Sequence, residues 1–249
     1  MIKQAQGDKQ FVVIVPAAGV GKRMLASCPK QYLEINNQSI LARSTSLLLS
    51  HPKIAKVIIV LSDDDEYFTQ TGLAEKSDII RVSGGKERVD SVLNGLHAID
   101  VERYPWVLVH DAARPCVTHG DIDKLIDQCM VNDCGGLLAA QVVDTMKQCN
   151  QEHPSTVGST IDRSNLWHAY TPQMYKTIEL TQAIEQALAQ GKEITDESSA
   201  IEFAGLPSLL VLGRRDNIKI TRPEDLVLAT FYLDQQELAK QKLDEQTLK

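Results

Sequence analysis

Five short apolar runs, each followed by a turn and then by a helical pattern, alternate along the first 140 residues and constrain the fold more than any other feature. They are Phe11–Val15, Lys56–Leu61, Ile79–Val82, Trp106–Val109 and Gly135–Ala140. Rich in β-branched residues and too short for helices, they read as buried strands. Helical segments are expected near Ser39–Ser50, from about Asp63, over Glu87–Ile99 and near Gly120–Met130. This alternation predicts an α/β protein with a mainly parallel central sheet covered on both faces. Ligands of such folds gather at the C-terminal ends of the strands. The loops Pro16–Met24, Ser83–Gly85 and His110–Pro115 fall there.

The first of these loops reads Pro16-Ala17-Ala18-Gly19-Val20-Gly21-Lys22-Arg23-Met24 and leads to Pro29-Lys30-Gln31. Small residues and two glycines let backbone N–H groups approach a polyphosphate without interference from Cβ atoms. Arg23 and Lys30 add mobile positive charge. The outline is that of a nucleoside triphosphate site. A Walker loop needs glycine where Pro16 stands and Ser or Thr where Arg23 stands, so it is excluded twice. The dinucleotide fingerprint fails at Met24 and lacks the acidic residue after a second strand. Asp63-Asp64-Asp65 reads instead as a helix cap. His110-Asp111 has no G-x-S-x-G partner, which sets a hydrolase aside.

At 249 residues the chain can bury a sizeable core. No apolar run is long enough to span a bilayer, so no membrane partner is expected. The first ten residues are polar and lack the apolar core of a signal peptide, which makes the cytoplasm the expected location. The five cysteines include no C-x-x-C pair, so neither a disulfide frame nor zinc is indicated. A formal net charge of −7 argues against nucleic acid as a partner. An enzyme of anionic small molecules must then gather its cations locally. Arg23, Lys30, Arg88, Arg114, Arg163, Arg214, Arg215 and Lys219 are the candidates.

From about Gln141 to Gln173 the βα rhythm breaks, in a polar stretch containing Pro154 and Gly158. A structureless loop of that length is unusual, so an antiparallel excursion is expected, with short strands around Thr145–Gln148 and Trp167–Tyr170. Such an arm buries too little surface alone and suits a partner subunit. Beyond it, Lys176–Gln190 and Asp196–Ala204 read as helices, Ser208–Leu212 and Asn217–Ile220 as extended, and Arg222–Lys249 as a terminal helix. Thr221-Arg222-Pro223-Glu224 reads as a capping-box entry to that helix.

Six blocks in order now carry a resemblance. They are the glycine loop, Pro29-Lys30-Gln31-Tyr32-Leu33, His110-Asp111-Ala112-Ala113-Arg114-Pro115, Asp144-Thr145-Met146-Lys147, Leu166–Gln173 with Asp162-Arg163 before it, and Asn217-Ile218-Lys219-Ile220-Thr221. Together they resemble the cytidylyltransferases of the non-mevalonate isoprenoid pathway, from about residue 11 to the terminal helix. The resemblance implies a Rossmann-like nucleotidyltransferase fold, a single domain over 1–249 with a protruding β-arm at about 141–173 for dimerisation. It implies CMP transfer from CTP to 2-C-methyl-D-erythritol 4-phosphate with release of pyrophosphate, and Mg²⁺ as the cofactor. A cytidylyltransferase of another polyol phosphate, such as ribitol 5-phosphate, is the nearest alternative.

The same resemblance distributes roles. Arg23 and Lys30 become the catalytic pair around the α-phosphorus. Ala17, Ala18, Gly19, Gly21, Gly84, Gly85, Ser91, Asp111 and Ala112 are expected at the nucleotide, with Ser91 and the glycines facing cytosine. Asp111 is expected to touch Mg²⁺, directly or through water, or to contact the substrate; an ion pair with Arg114 is the other partnership open to it. Arg163 and Lys219 are expected at the substrate phosphate, with Arg114, Thr145 and Thr171 near the polyol. The implied homodimer carries the arm, with Arg163 and Thr171, into the neighbouring subunit's site.

Overall fold

Successive side chains of a strand point to opposite faces, and here each face meets its own set of helices. In β1 (Phe11–Pro16), Phe11, Val13 and Val15 pack on one side while Val12 and Ile14 pack on the other. The computed structural model describes residues 10–19 and 28–247, with side chains as far as residue 242. A 3-10 turn at Lys30–Tyr32 and the small ribbon β2 (Glu34–Ile35) and β3 (Gln38–Ser39) lead into α1 (Ile40–Ser50). Next come β4 (Ile54–Leu61), β5 (Ile79–Ser83), α2 (Arg88–His97), β6 (Trp106–Val109), α3 (His119–Asn132) and β7 (Gly136–Gln141). The hairpin β8 (Met146–Cys149) and β9 (Val157–Ile161) follows, then β10 (Trp167–Lys176), α4 (Thr177–Ala189), α5 (Glu197–Phe203), β11 (Leu209–Leu212) and α6 (Pro223–Thr247).

Among the described residues, seven strands form one sheet in the order β11-β7-β10-β6-β1-β4-β5. Every pairing is parallel except those of β10 with β6 and β7. Leu41 and Leu48 of α1 and Ile122, Leu125 and Ile126 of α3 cover one face. Val92 and Leu96 of α2, Leu180 and Ile184 of α4, and Ile201 of α5 cover the other. The expected α/β layering with a mainly parallel sheet is what forms.

Four local expectations are corrected. The helix expected from about Asp63 does not form. Asp65 instead accepts from the N–H groups of Tyr67 and Phe68 and from the Tyr32 hydroxyl, and only a 3-10 turn follows at Phe68–Thr71. Acidic side chains near their own backbone compete with a helix in this way. Trp167–Tyr170, expected inside the arm, instead begins β10 in the main sheet. The hairpin partner of β8 is β9. Burial explains the choice, since residues 171–175 of β10 are all buried while β8 is exposed throughout. Asn217–Ile220 joins no strand among the described residues; the Ile220 N–H bonds Ala113 O at 2.9 Å. At the start of α6 the carboxylate that accepts from Thr221 and Arg222 belongs to Asp225, not Glu224.

Candidate active site

Where β1, β5 and β6 end, their loops and Lys219 enclose a cleft of about 300 Å³. Its floor is the chain from Pro16 to Gly19, and its walls include Lys30, Gly85, Arg88, Ser91, Asp111, Ala112 and Lys219. The switch point of the strand order lies here, between β1 and β6, as expected for an open α/β sheet. Gly21 and Arg23 lie outside the described residues.

Local contacts fix each wall. The Gln31 amide donates to Ala17 O at 2.8 Å, which ties the Lys30 turn to the end of β1. Ser44 of α1 donates to Ala112 O at 2.8 Å and holds the loop after β6. At Gly84 a Cβ would stand 2.5 Å from the Ala18 Cβ and 3.1 Å from Leu61 O. Two loops meet there at backbone distance, and only glycine fits. Gly84→Ala is therefore expected to push them apart and weaken CTP binding by about tenfold, read by calorimetric titration; unchanged affinity would separate this contact from the site. The Ser91 hydroxyl accepts from the Gly85 N–H at 3.1 Å and donates to Glu87 O at 3.2 Å, so it shapes the turn as well as facing the cleft.

Charge concentrates around Asp111. Its Oδ1 lies 3.2 and 3.3 Å from two nitrogens of Arg88, and its Oδ2 lies 2.8 Å from Lys219 Nζ and 3.6 Å from Arg114 Nε. Burial alone raises a carboxyl, but Arg88, Lys219 and Arg114 outweigh it and hold Asp111 well below the usual carboxylate range. Arg88 also grips Glu197 with two prongs, at 2.7 and 3.2 Å. Arg114 is buried, donates to Asn217 O at 2.7 Å and lies 4.9 Å over the Tyr170 ring. Lys30 reaches Ile220 O at 3.4 Å, which closes the cleft from the side of α6.

Behind Asp111 stands a buried relay. Opposite Leu138 of β7, β10 carries a bulge of Tyr170, Thr171 and Pro172, with a cis Thr171-Pro172 bond. The bulge turns Thr171 inward, where its hydroxyl oxygen accepts from the Asp111 N–H at 3.0 Å and meets His110 Nδ1 at 3.0 Å. His110 Nε2 faces Arg114 O at 3.0 Å, which only accepts, so Nε2 carries the proton and Nδ1 accepts from Thr171. Burial depresses His110 to about 4. A depressed histidine stabilises the fold fully above its unfolded value near 6.5 and loses that stabilisation as pH falls towards about 4. Unfolding free energies from urea titration should therefore drop across this window, by an amount on the order of 3 kcal/mol, and His110→Asn should flatten the drop.

The structure gathers Ala17, Ala18, Gly19, Lys30, Gly85, Ser91, Asp111, Ala112 and Lys219 at one cleft. Gly84 and Arg114 support it from behind, and Thr171, expected to cross to a neighbouring subunit, is instead buried in β10 against the Asp111 backbone of its own chain. Arg163 and Thr145 are exposed near the hairpin, where Arg163 donates to Thr145 Oγ1 at 3.4 Å; neither lines this chain's cleft. Glu197 was not among the expected site residues, and Arg88 was expected only as one of the candidate cations. Asp90 caps α2 by accepting from the Glu87 N–H.

Among the described residues no cluster of three His, Cys, Asp or Glu could hold a metal ion. Asp111 keeps lone-pair capacity on Oδ2 beside Lys219. Asp111 fits a Mg²⁺ that arrives on a triphosphate and takes one carboxylate.

A model of the IspD family, 2-C-methyl-D-erythritol 4-phosphate cytidylyltransferase, matches residues 11–235. The chain belongs to that family. The cytidylyltransferase of Colwellia psychrerythraea is 61% identical over 233 residues, covering 91% of this chain and 96% of the relative. That of Vibrio parahaemolyticus is 53% identical, covering 93% and 99%. The crystal structure of the Francisella tularensis family member is similar with a TM-score of 0.78 at 33% identity, over 90% of this chain and 99% of that one. IspD enzymes are nucleotidyltransferases, and the described residues include no helix long and apolar enough to cross a membrane.

Proposed function

We propose that this chain transfers CMP from CTP to 2-C-methyl-D-erythritol 4-phosphate, giving 4-diphosphocytidyl-2-C-methyl-D-erythritol and pyrophosphate for isoprenoid precursor synthesis. The observation that carries the reading is the family match over residues 11–235. The substrate phosphate oxygen attacks the α-phosphorus in line, the bond to the β-phosphate breaks, and pyrophosphate departs with the electron pair. Such transfers depend on positioning and charge neutralisation. Lys30, with Arg23, neutralises the charge that develops around the α-phosphorus. The backbone from Ala17 to Gly19 and Gly21 cradles the phosphates. Gly84, Gly85 and Ser91 face cytosine, while Asp111 and Ala112 border the α-phosphate. Lys219, Arg114 and Thr171 form or support the substrate side. Asp111 would hold a Mg²⁺ that arrives with the triphosphate, and the ion would supply further charge neutralisation.

Residues 1–249 are read as one domain whose arm, bounded by β7 and β10, runs over residues 142–166, working as a homodimer. The exposed β8–β9 hairpin supports this, because two strands alone bury too little to be stable in water. Arg163 then completes the neighbouring site. The five cysteines are all unpaired, which suits a reducing cytoplasm. The test is pyrophosphate release with CTP and Mg²⁺, comparing methylerythritol phosphate with ribitol 5-phosphate. Release with the first alone is expected. Release only with the second would overturn the substrate, and release with neither would overturn the reaction.

A further inference from the structure

Glu197 does not line the cleft, yet it is a carboxylate only 2% exposed. A buried carboxylate is costly unless it is paired and hydrogen-bonded. Both of its oxygens are taken by one group, the Arg88 guanidinium, with Nη1 at 2.7 Å from Oε1 and Nη2 at 3.2 Å from Oε2. The other edge of the same guanidinium, Nε and Nη2, meets Asp111 Oδ1 at 3.3 and 3.2 Å. A guanidinium is planar and rigid, so fixing one fork fixes the other; a lysine could not transmit the constraint. Glu197 is itself held in place. The Gln173 amide donates to Asp196 Oδ2 at 2.9 Å, and its oxygen accepts from the Ser198 N–H at 2.8 Å. These bonds seat the start of α5 on β10 at either side of Glu197.

We propose that Glu197 is a positioning residue, fixing the plane of Arg88 and through it the orientation of Asp111. With Oδ1 occupied by Arg88, Oδ2 is left turned towards Lys219 and the cleft. This inference rests on the reading of the cleft as the site of CMP transfer. Asp111 held this way presents its charge at one place. Released from Arg88, Oδ1 is also free to turn onto Lys219 and Arg114, which Oδ2 already touches, and the tighter hold withdraws them from an anionic substrate.

Glu197→Gln keeps the shape and removes the charge. Its kcat is expected to fall by about tenfold to a hundredfold, the penalty typical of a misplaced reacting group. The KM for CTP should stay level or fall, because the region gains one positive charge. A residue that merely holds the fold predicts otherwise: a kcat per folded molecule near that of the parent chain, whatever the fall in melting temperature that a half-broken buried pair causes. The double variant Glu197→Gln/Arg88→Gln replaces the ion pair by two neutral amides, a change that buried sites often tolerate. It should recover the melting temperature while kcat stays low, since Asp111 has lost its clamp. It decides the matter alone where the single variant does not fold. A kcat within about threefold of the parent in either variant would overturn the proposal. A parent chain that releases no pyrophosphate would overturn the reading of the site, and this inference with it.

Discussion

Lys30→Ala is expected to lower CMP transfer by about a hundredfold or more while the protein stays folded. Lys30 sits half-buried at the cleft wall, on a short turn held by Gln31 and Tyr32, and its ammonium group reaches Ile220 O at 3.4 Å. Its removal should therefore leave the turn in place. What is lost is a cation beside the reacting phosphate. At about 4 Å and an effective dielectric near 20, such a pair is worth on the order of 4 kcal/mol before desolvation. Lysine to alanine leaves no substitute donor, so the loss should appear in kcat more than in KM. Single-turnover release of pyrophosphate, with circular dichroism to verify folding, measures it. A rate within about fivefold of the parent would remove Lys30 from this role.

The second large effect concerns Arg163. Within one chain it is exposed near the hairpin, touches Thr145 and does not line the cleft. On the crossed-arm reading its catalytic service is given to another copy. Arg163→Ala should be nearly inactive alone, as should Lys30→Ala. A heterodimer of the two variants contains one site with both cations intact, Lys30 from one chain and Arg163 from the other. Equal mixing after dissociation should thus recover about a quarter of the parent activity by random pairing of two-fold dimers. No recovery, in a mixture shown by native mass spectrometry to contain heterodimer, would sink the crossed-arm arrangement.

Much of the fold was legible because the parallel strands are buried on both faces and appear as plain apolar runs, as at Phe11–Val15 and Trp106–Val109. The strand around Trp167 was misplaced for the opposite reason. Its first residues, Trp167 to Tyr170, lie half-buried or exposed and look like an arm, while its sheet partners are far away in sequence. Local pattern does not contain such a pairing. The helix expected from Asp63 failed because side chain to backbone bonds at Asp65 were stronger than the helical tendency of the run.

At the site, loops flagged by glycine and lysine were readable, whereas the Arg88–Glu197 pair was not. A signal did exist. Glu197 precedes Ala200 and Ile201 by three and four residues, and Arg88 precedes Ser91 and Val92 in the same way; all four neighbours are buried. A charged residue on the apolar stripe of a helix needs a partner. Two such residues on helices covering the same sheet face are candidates for each other.

The antiparallel strand β10 has one more consequence, for the growing polypeptide. As the chain leaves the ribosome, β6 can pair with β1 at once, but its other edge stays bare until residues 173–176 have been made. An open edge of this kind invites pairing with other nascent chains. The pocket is later still, since Arg88 waits for Glu197 and Asp111 waits for Lys219. A half-synthesised chain therefore has no finished site, and the capacity for CMP transfer arrives only with the last quarter of translation.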